Sequence, residues 1–247
     1  MIVTLGSVRG APGVTSWSML LAAAWPGTGA ERVVLEADPD GGVIAARYGF
    51  GVEPGVISLA ASLRRTEAGD LDLGEHGRQV AANVLVIPSP ESPERCTAIW
   101  SDTAAPMAAS LAADRDRIWF VDAGRYRPGA PAEAFVAHSS ISLLLSLAGP
   151  EDVVQLRGTV ARLSDLGMGR VAVVLVGKPA HDLEEIKAFL GVDHLWTVPA
   201  SRNLPADTAT AFAGRAGRRS WLWRAAVSVA SEMAALTTVD ALRGANA

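Results

Sequence analysis

The chain has 247 residues, of which 22 are basic and 26 acidic, so its formal net charge is −4. Only Lys178 and Lys187 are lysines, and the first 177 residues contain none, which excludes an ordinary lysine-bearing phosphate loop near the N-terminus. The negative charge gives no global field that would attract nucleic acid or anionic lipid. Because 49% of the residues are hydrophobic and 19% are charged, we predict a large buried core rather than disorder.

The apolar runs also bear on the compartment. No basic segment followed by a signal-like apolar stretch begins the chain, and the longest later runs are strand length, well short of the roughly 20 residues that cross a bilayer. Cys96 is the only cysteine, so an internal disulfide is excluded. We therefore expect a cytoplasmic protein whose membrane contact, if it has one, comes indirectly through recruitment to a membrane-associated complex.

Short β-branched runs alternate with longer helical patterns along the chain. The predicted strands are Ile2–Leu5, Arg32–Leu35, Asn83–Ile87, Arg117–Val121, Ser140–Leu147, Val171–Val176 and His194–Val198. The predicted helices are Thr15–Ala24, Val56–Arg64, Pro93–Ala113, Ala132–His138, Glu151–Leu166, Asp182–Leu190, Ala206–Ala213 and Trp221–Leu236. This alternation predicts an α/β fold: a single doubly wound, mostly parallel sheet flanked by helices, in one domain spanning residues 1–247.

In such a fold, ligands bind beyond the carboxyl ends of the strands. A loop of small residues follows the first strand and ends on Thr15 and Ser16 at a helix start, where backbone N–H groups and the helix dipole favour an anion. Pro12 has no N–H to donate, whereas Gly13 and Val14 have theirs. Thr15 is equally able to be the N-cap of an ordinary strand-to-helix turn.

Carboxylates follow two other strands. Glu36, Asp38 and Asp40 come directly after the second strand, and Asp122 ends the apolar run Ile118–Val121. Each pattern alone also suits an ordinary loop or a buried strand end. The order of loop, acidic turn and strand-ending aspartate favours a nucleotide site.

With these three segments the chain resembles the ParA/MinD superfamily of deviant-Walker P-loop ATPases, whose loop reads Lys-Gly-Gly-Val-Gly-Lys-Thr-Thr. The corresponding segment here is Arg9-Gly10-Ala11-Pro12-Gly13-Val14-Thr15-Ser16. The resemblance implies ATP or ADP and Mg²⁺ as cofactors. It implies nucleotide contacts from Gly10, Ala11, Gly13, Val14, Thr15, Ser16 and, in the loop around the base, Pro199.

The resemblance also assigns roles in catalysis and metal binding. Asp38 takes the place of the family's water-positioning Asp, and Thr15, Asp122 and Glu36 take the places on the magnesium side. Glu36 stands where the family has Asp and is one methylene longer. The Asn that contacts adenine in the family is missing, because Gly177, Lys178 and Pro179 follow the sixth predicted strand.

The central lysine of the family is replaced by Val14. A charge-assisted hydrogen bond of that kind contributes roughly 1.5–3 kcal/mol to binding, and charge stabilisation dominates phosphoryl transfer. Arg9 occupies the position of the signature lysine and is the basic group of the loop. The resemblance therefore implies a degenerate site with weakened nucleotide binding and weak or absent ATPase activity.

The loop, the Glu-Ala-Asp-Pro turn and the arginine bias further resemble ParA-like proteins of high-GC Gram-positive bacteria, including the TadZ/CpaE group. This implies a homodimeric positioning or assembly factor that works with a protein partner, for example in pilus or secretion machinery. One alternative is an active ATPase that uses Arg9 for the missing lysine and Asp38 to position water. Another is a DNA-binding partition protein, which the negative net charge disfavours, although five arginines form a candidate patch: Arg202, Arg215, Arg218, Arg219 and Arg224.

Overall fold

The computed structural model describes residues 1–9, 12–27, 29–63, 65, 75–166, 169–204, 208 and 217–244. Over these residues one eight-stranded sheet runs in the order β3-β4-β2-β5-β1-β6-β7-β8. All neighbouring strands are parallel except β3 and β4. The strands are β1 (Ile2–Ser7), β2 (Glu31–Glu36), β3 (Arg78–Ala81), β4 (Val84–Ile87), β5 (Arg117–Arg125), β6 (Ile141–Leu147), β7 (Arg170–Val176) and β8 (His194–Val198). The prediction of a doubly wound, mostly parallel sheet is confirmed.

Helices connect the parallel strands. They are α1 (Val14–Ala24), α2 (Ile44–Tyr48), α3 (Val56–Leu63), α4 (Pro93–Ala113), α5 (Ala132–Val136), α6 (Pro150–Leu166), α7 (Leu183–Leu190) and α8 (Trp221–Gly244). A short 3₁₀ turn, Gly217–Arg219, precedes α8. Apart from Thr208, the predicted helix Ala206–Ala213 lies outside the described residues.

Besides the 3₁₀ turn, one strand and one helix among the described elements were missed by the sequence analysis. The edge strand β3 is half exposed, so its residues lack the apolar run that marks a central strand. It pairs with β4 through a tight turn in which Asn83 has φ 60°, so Asn83 turns the chain rather than extending the strand as predicted. The helix α2 has five residues, too few for a helical period to show in the sequence.

Strand residues alternate between the two faces of the sheet and build a core on each. On one face, Val3 and Val34 pack with α1 and α8. On the other, Val33 and Leu35 pack with α3 and α4, and β6 and β7 contribute a further cluster with α6 and α7.

The aromatic residues of the last helix take part in this packing. Trp221 and Trp223 are partly buried against the α1 side of the core, and Leu222 between them is fully buried. Through the part of the chain that the structure describes, no helix combines the length and the apolar character needed to span a bilayer.

The strand β6 offers a matched test of the core. Leu145 is 0% exposed and Leu147, two residues later, is 41% exposed. Leu145→Ala leaves a cavity and should lower the free energy of unfolding by about 2–5 kcal/mol in urea denaturation. Leu147→Ala removes the same atoms from a half-solvated position and should cost much less; equal losses would contradict this description of the core.

Candidate functional site

Parallel pairing brings the ends of β1, β2 and β5 together. Asp122 on β5 is in register with Leu5 on β1 and with Glu36 on β2. The N–H of Ala37 donates to the carbonyl oxygen of Asp122 over 2.8 Å, which continues the pairing just past Glu36. The first loop, the acidic turn and the Asp122 strand therefore meet at one edge of the sheet, as the sequence predicts.

Asp122 lies at the centre of this edge and is 0% exposed. Its Oδ1 accepts the N–H of Gly124 over 3.2 Å, while no described group hydrogen-bonds to Oδ2. Burial raises the pKa of Asp122 to about 7; the nearby hydroxyl of Thr15 opposes the rise, and the charges of Glu36 and Asp38 add to it. A buried carboxylate with one unpartnered oxygen beside a threonine hydroxyl needs a ligand or a proton.

The Thr15 hydroxyl and the Asp122 carboxylate fit Mg²⁺ better than they fit a metal ion whose ligands all come from the protein. In the described residues, no cluster of three or more His, Cys, Asp or Glu side chains has the geometry to hold a metal ion. Mg²⁺ usually keeps several of its waters and uses one or two protein ligands plus phosphate oxygens. Thr15 and Asp122 would be such a pair if Mg²⁺ binds here.

The carboxylate of Glu36 is 1% exposed and is engaged by backbone. Its Oε1 accepts the N–H groups of Val43 over 2.6 Å and of Ile44 over 2.9 Å, and its Oε2 accepts the N–H of Ser89 over 3.0 Å. Burial raises the pKa of Glu36, and these three N–H groups oppose that rise. In this arrangement Glu36 ties the end of β2 to α2 and to the segment after β4. Its predicted place on the magnesium side stays a prediction.

Asp38 is placed by a close approach to Gly124. A Cβ on Gly124 would lie 2.0 Å from the carboxyl carbon of Asp38, and Gly124 has a φ of +59°. Only glycine tolerates both conditions. Asp38 Oδ1 accepts the N–H of Asp40 over 2.8 Å, and burial raises the pKa of Asp38.

The acidic turn is also linked to the loop after β5. Arg127 donates to both oxygens of Asp40, over 2.9 and 3.0 Å. Since both side chains are about half exposed, the pair contributes only about 0–1 kcal/mol of stability. Its effect is to hold the two loops on either side of Asp38 together.

In the first loop, Gly10 and Ala11 lie outside the described residues. Arg9 is exposed. Gly13 begins α1 with a φ of 92°. A Cβ on Gly13 would lie 2.0 Å from Leu204 Cδ2, so the chain after β8 folds back onto this loop.

Val14 and Thr15 differ in their surroundings. Thr15 is partly exposed, and its hydroxyl lies close enough to Asp122 to oppose the rise in the pKa of that carboxyl. Val14 is 7% exposed and belongs to the same core cluster as Trp17 and Val198. The side chain of Val14 is therefore part of the core. Pro199 is exposed directly after β8, at the same edge of the sheet.

One contact was missed by the sequence analysis. Arg47 on α2 donates from Nη1 to Ser16 Oγ over 3.1 Å, and Ser16 is buried in the first turn of α1. No motif singles out Arg47. Only the short α2, itself invisible to periodicity, brings it to the loop.

Comparison with solved structures identifies the fold. The MinD septum-site-determining protein of Pyrococcus horikoshii, solved with Mg-ADP, superposes with a TM-score of 0.71 at 16% identity, covering 100% of this chain and 98% of its own. The ParA family ATPase of Chlorobium tepidum superposes with a TM-score of 0.68 at 13% identity. The match covers 92% of this chain and 98% of the ParA chain. The ATP complex of a Cyanothece McdA variant superposes with a TM-score of 0.64 at 15% identity. The match covers 84% of this chain and 86% of the McdA chain.

No family model and no curated protein sequence matches the chain. At these identities the structural likeness defines a fold, that of the ParA/MinD P-loop ATPases. The resemblance read from the loop, the acidic turn and Asp122 is confirmed at that level.

The raised pKa of Asp122 makes stability depend on pH. Between roughly pH 4 and pH 7 the folded chain keeps a proton on Asp122 that the unfolded chain has released, so stability from this group falls as pH rises through that window. In urea denaturation without divalent cations, the free energy of unfolding should fall by about 2–3 kcal/mol more in the wild type than in Asp122→Asn between pH 5 and pH 8. Asp165→Asn replaces an exposed carboxylate and is the control; its free energy of unfolding should change with pH as that of the wild type does. If the free energy of unfolding of Asp122→Asn also changes with pH as that of the wild type does, the raised pKa does not belong to Asp122.

Proposed function

We propose that the chain, acting as one domain over residues 1–247, is a nucleotide-responsive positioning or assembly factor of the ParA/MinD type with little or no ATP hydrolysis. One observation carries the proposal: Thr15, Asp38 and Asp122 converge at one edge of the sheet, whereas Val14, at the central cation position, is buried in the core. The switch residues are thus retained and the catalytic cation is lost.

The retained residues support binding. Thr15 and the unpartnered Oδ2 of Asp122 are suited to Mg²⁺ and its waters, which when bound would neutralise phosphate charge. The N-terminal turn of α1 directs N–H groups and the positive end of the helix dipole toward the same place. A nucleotide bound here would contact both α1 and the acidic turn, so it would couple its phosphates to the two loops that Arg127 and Asp40 join.

The lost cation argues against hydrolysis. In phosphoryl transfer, negative charge spreads over the transferred group in the transition state, and positioned cations stabilise it. Asp38 can still hold a water, but its neighbours Glu36 and Asp122 are also carboxylates. Without the lysine, this cluster leaves the developing charge poorly balanced.

The same family likeness supports a homodimer that works with a protein partner of an assembly or partition system. Pilus or secretion machinery is the partner system we favour, with the protein in the cytoplasm and any membrane contact indirect. Binding through Gly10, Ala11, Gly13, Ser16 and Pro199 remains part of this proposal.

Titration with ATP–Mg²⁺ and a phosphate-release assay test it together. We expect measurable but weak binding and phosphate release at the level of a buffer blank. Release above the blank that is lost in both Arg9→Ala and Asp38→Ala would instead support a working ATPase with Arg9 as its cation. Retention of DNA at low salt that is lost on substitution of Arg218 and Arg219 would support the partition protein.

Restoring the lysine is a complementary test. Val14→Lys should raise the affinity for ATP–Mg²⁺ about tenfold or more, because this proposal keeps the other phosphate-binding groups in place. The lysine stem can stay along the apolar wall while its ammonium reaches the loop. Val14→Met, which has a stem of similar length without the charge, is the control, and thermal unfolding of both variants checks that they fold. Equal affinity in the two variants would contradict an intact site.

A further inference from the structure

A cation that the loop motif does not contain lies against the first turn of α1. Arg47 Nη1 is 3.1 Å from Ser16 Oγ, and Ser16 is the residue after Thr15. The side chain of Arg47 is otherwise exposed, and its guanidinium has five N–H donors, of which this contact uses one. A planar guanidinium in this place is suited to two-point contact with phosphate oxygens.

The position of Arg47 follows from Glu36. Glu36 Oε1 accepts the N–H groups of Val43 and Ile44, which are the cap and the first residue of α2. The N–H of Arg47 in turn donates to the carbonyl oxygen of Val43 over 3.0 Å, so Arg47 is one turn from the anchored end. Glu36 Oε2 holds Ser89 at the same time, so one buried carboxylate ties α2 to the sheet.

Among the described basic residues, Arg47 is seen to hydrogen-bond to this turn, whereas Arg125 and Arg127 lie close enough to Asp38 and Asp40 for their charges to act to lower the pKa of both carboxyls. Arg127 is engaged with Asp40 on the far side of Asp38. Arg9 is exposed. Meanwhile the buried Oδ2 of Asp122 lacks a partner beside Thr15, an independent sign that a ligand belongs at this edge.

We propose that Arg47 binds the phosphates of the nucleotide at the first turn of α1 and supplies the positive charge that Val14 lacks, with Glu36 as the residue that positions it. The two departures from the family pattern, at positions 14 and 36, are then two parts of one rearranged site. This inference rests on the proposed function, because it takes the ligand to be a nucleotide.

Calorimetric titrations with ATP–Mg²⁺ and with pyrophosphate–Mg²⁺ test the contact on the full chain. Arg47→Ala should weaken both affinities roughly 10- to 100-fold. Arg47→Lys keeps the positive charge but not the planar pair of N–H donors, so its affinities should lie between those of the wild type and Arg47→Ala. The wild-type affinity should fall with added salt more steeply than that of Arg47→Ala. Arg115→Ala removes an equal charge at the opposite edge of the sheet, before β5, and should bind as the wild type does.

A double-mutant cycle tests the positioning role. Glu36→Asp shortens the anchor and should weaken binding, and adding Arg47→Ala in that background should cause little further loss. If the two substitutions instead weaken binding independently, so that their fold-losses in affinity multiply in the double variant, the role given to Glu36 is overturned. Thermal unfolding of each variant, without ligand, separates a loss of contact from a loss of fold.

The outcomes also separate this inference from the function on which it rests. Wild-type affinity in Arg47→Ala, or an equal loss in Arg115→Ala, would overturn the role of Arg47 and leave a nucleotide-responsive factor standing. Absence of any ATP or pyrophosphate binding by the wild type would overturn the inference. Rapid ATP hydrolysis that depends on Arg47 would support the contact while overturning the proposed loss of ATPase activity.

Discussion

The parallel register of β1, β2 and β5 is the constraint on which the rest of this edge depends. Because Leu5, Glu36 and Asp122 are level with one another, the segments that follow these strands are forced into one place. The same register brings three carboxylates close together in a site sheltered from water, which is costly unless each finds a partner. Much of the local structure consists of those partners.

Each carboxylate is accommodated differently. Glu36 uses three backbone N–H groups, and in doing so it anchors a helix that would be too short to be stable alone. Asp38 approaches the backbone at Gly124, where no side chain intervenes. Asp122 keeps one oxygen without a partner. Of the three carboxylates, Asp122 is the one whose hydrogen-bonding capacity the described residues leave partly unused, which is why the proposed ligand is placed beside it.

The sequence predicts the sheet and the elements of the site because those signals are local. Buried parallel strands read as continuous apolar runs, and the residues that follow them can be aligned on a known motif. The contacts of Glu36 and Arg47 could not be predicted in this way. Glu36 reaches residues 43, 44 and 89, and Arg47 reaches Ser16, 31 positions earlier, so both depend on packing between distant segments. The hairpin of β3 and β4 was missed because a half-exposed edge strand has no apolar run.

The burial of Val14 has an evolutionary consequence. Val14 packs in the same cluster as Trp17 and Val198, so any residue selected at this position is also selected for its fit in the core. A lineage that gained a lysine at this position would give up some of those apolar contacts, whatever the new charge contributed elsewhere. Stability therefore favours an apolar side chain at position 14, whereas the exposed positions of α2 are free to change with little cost to the core.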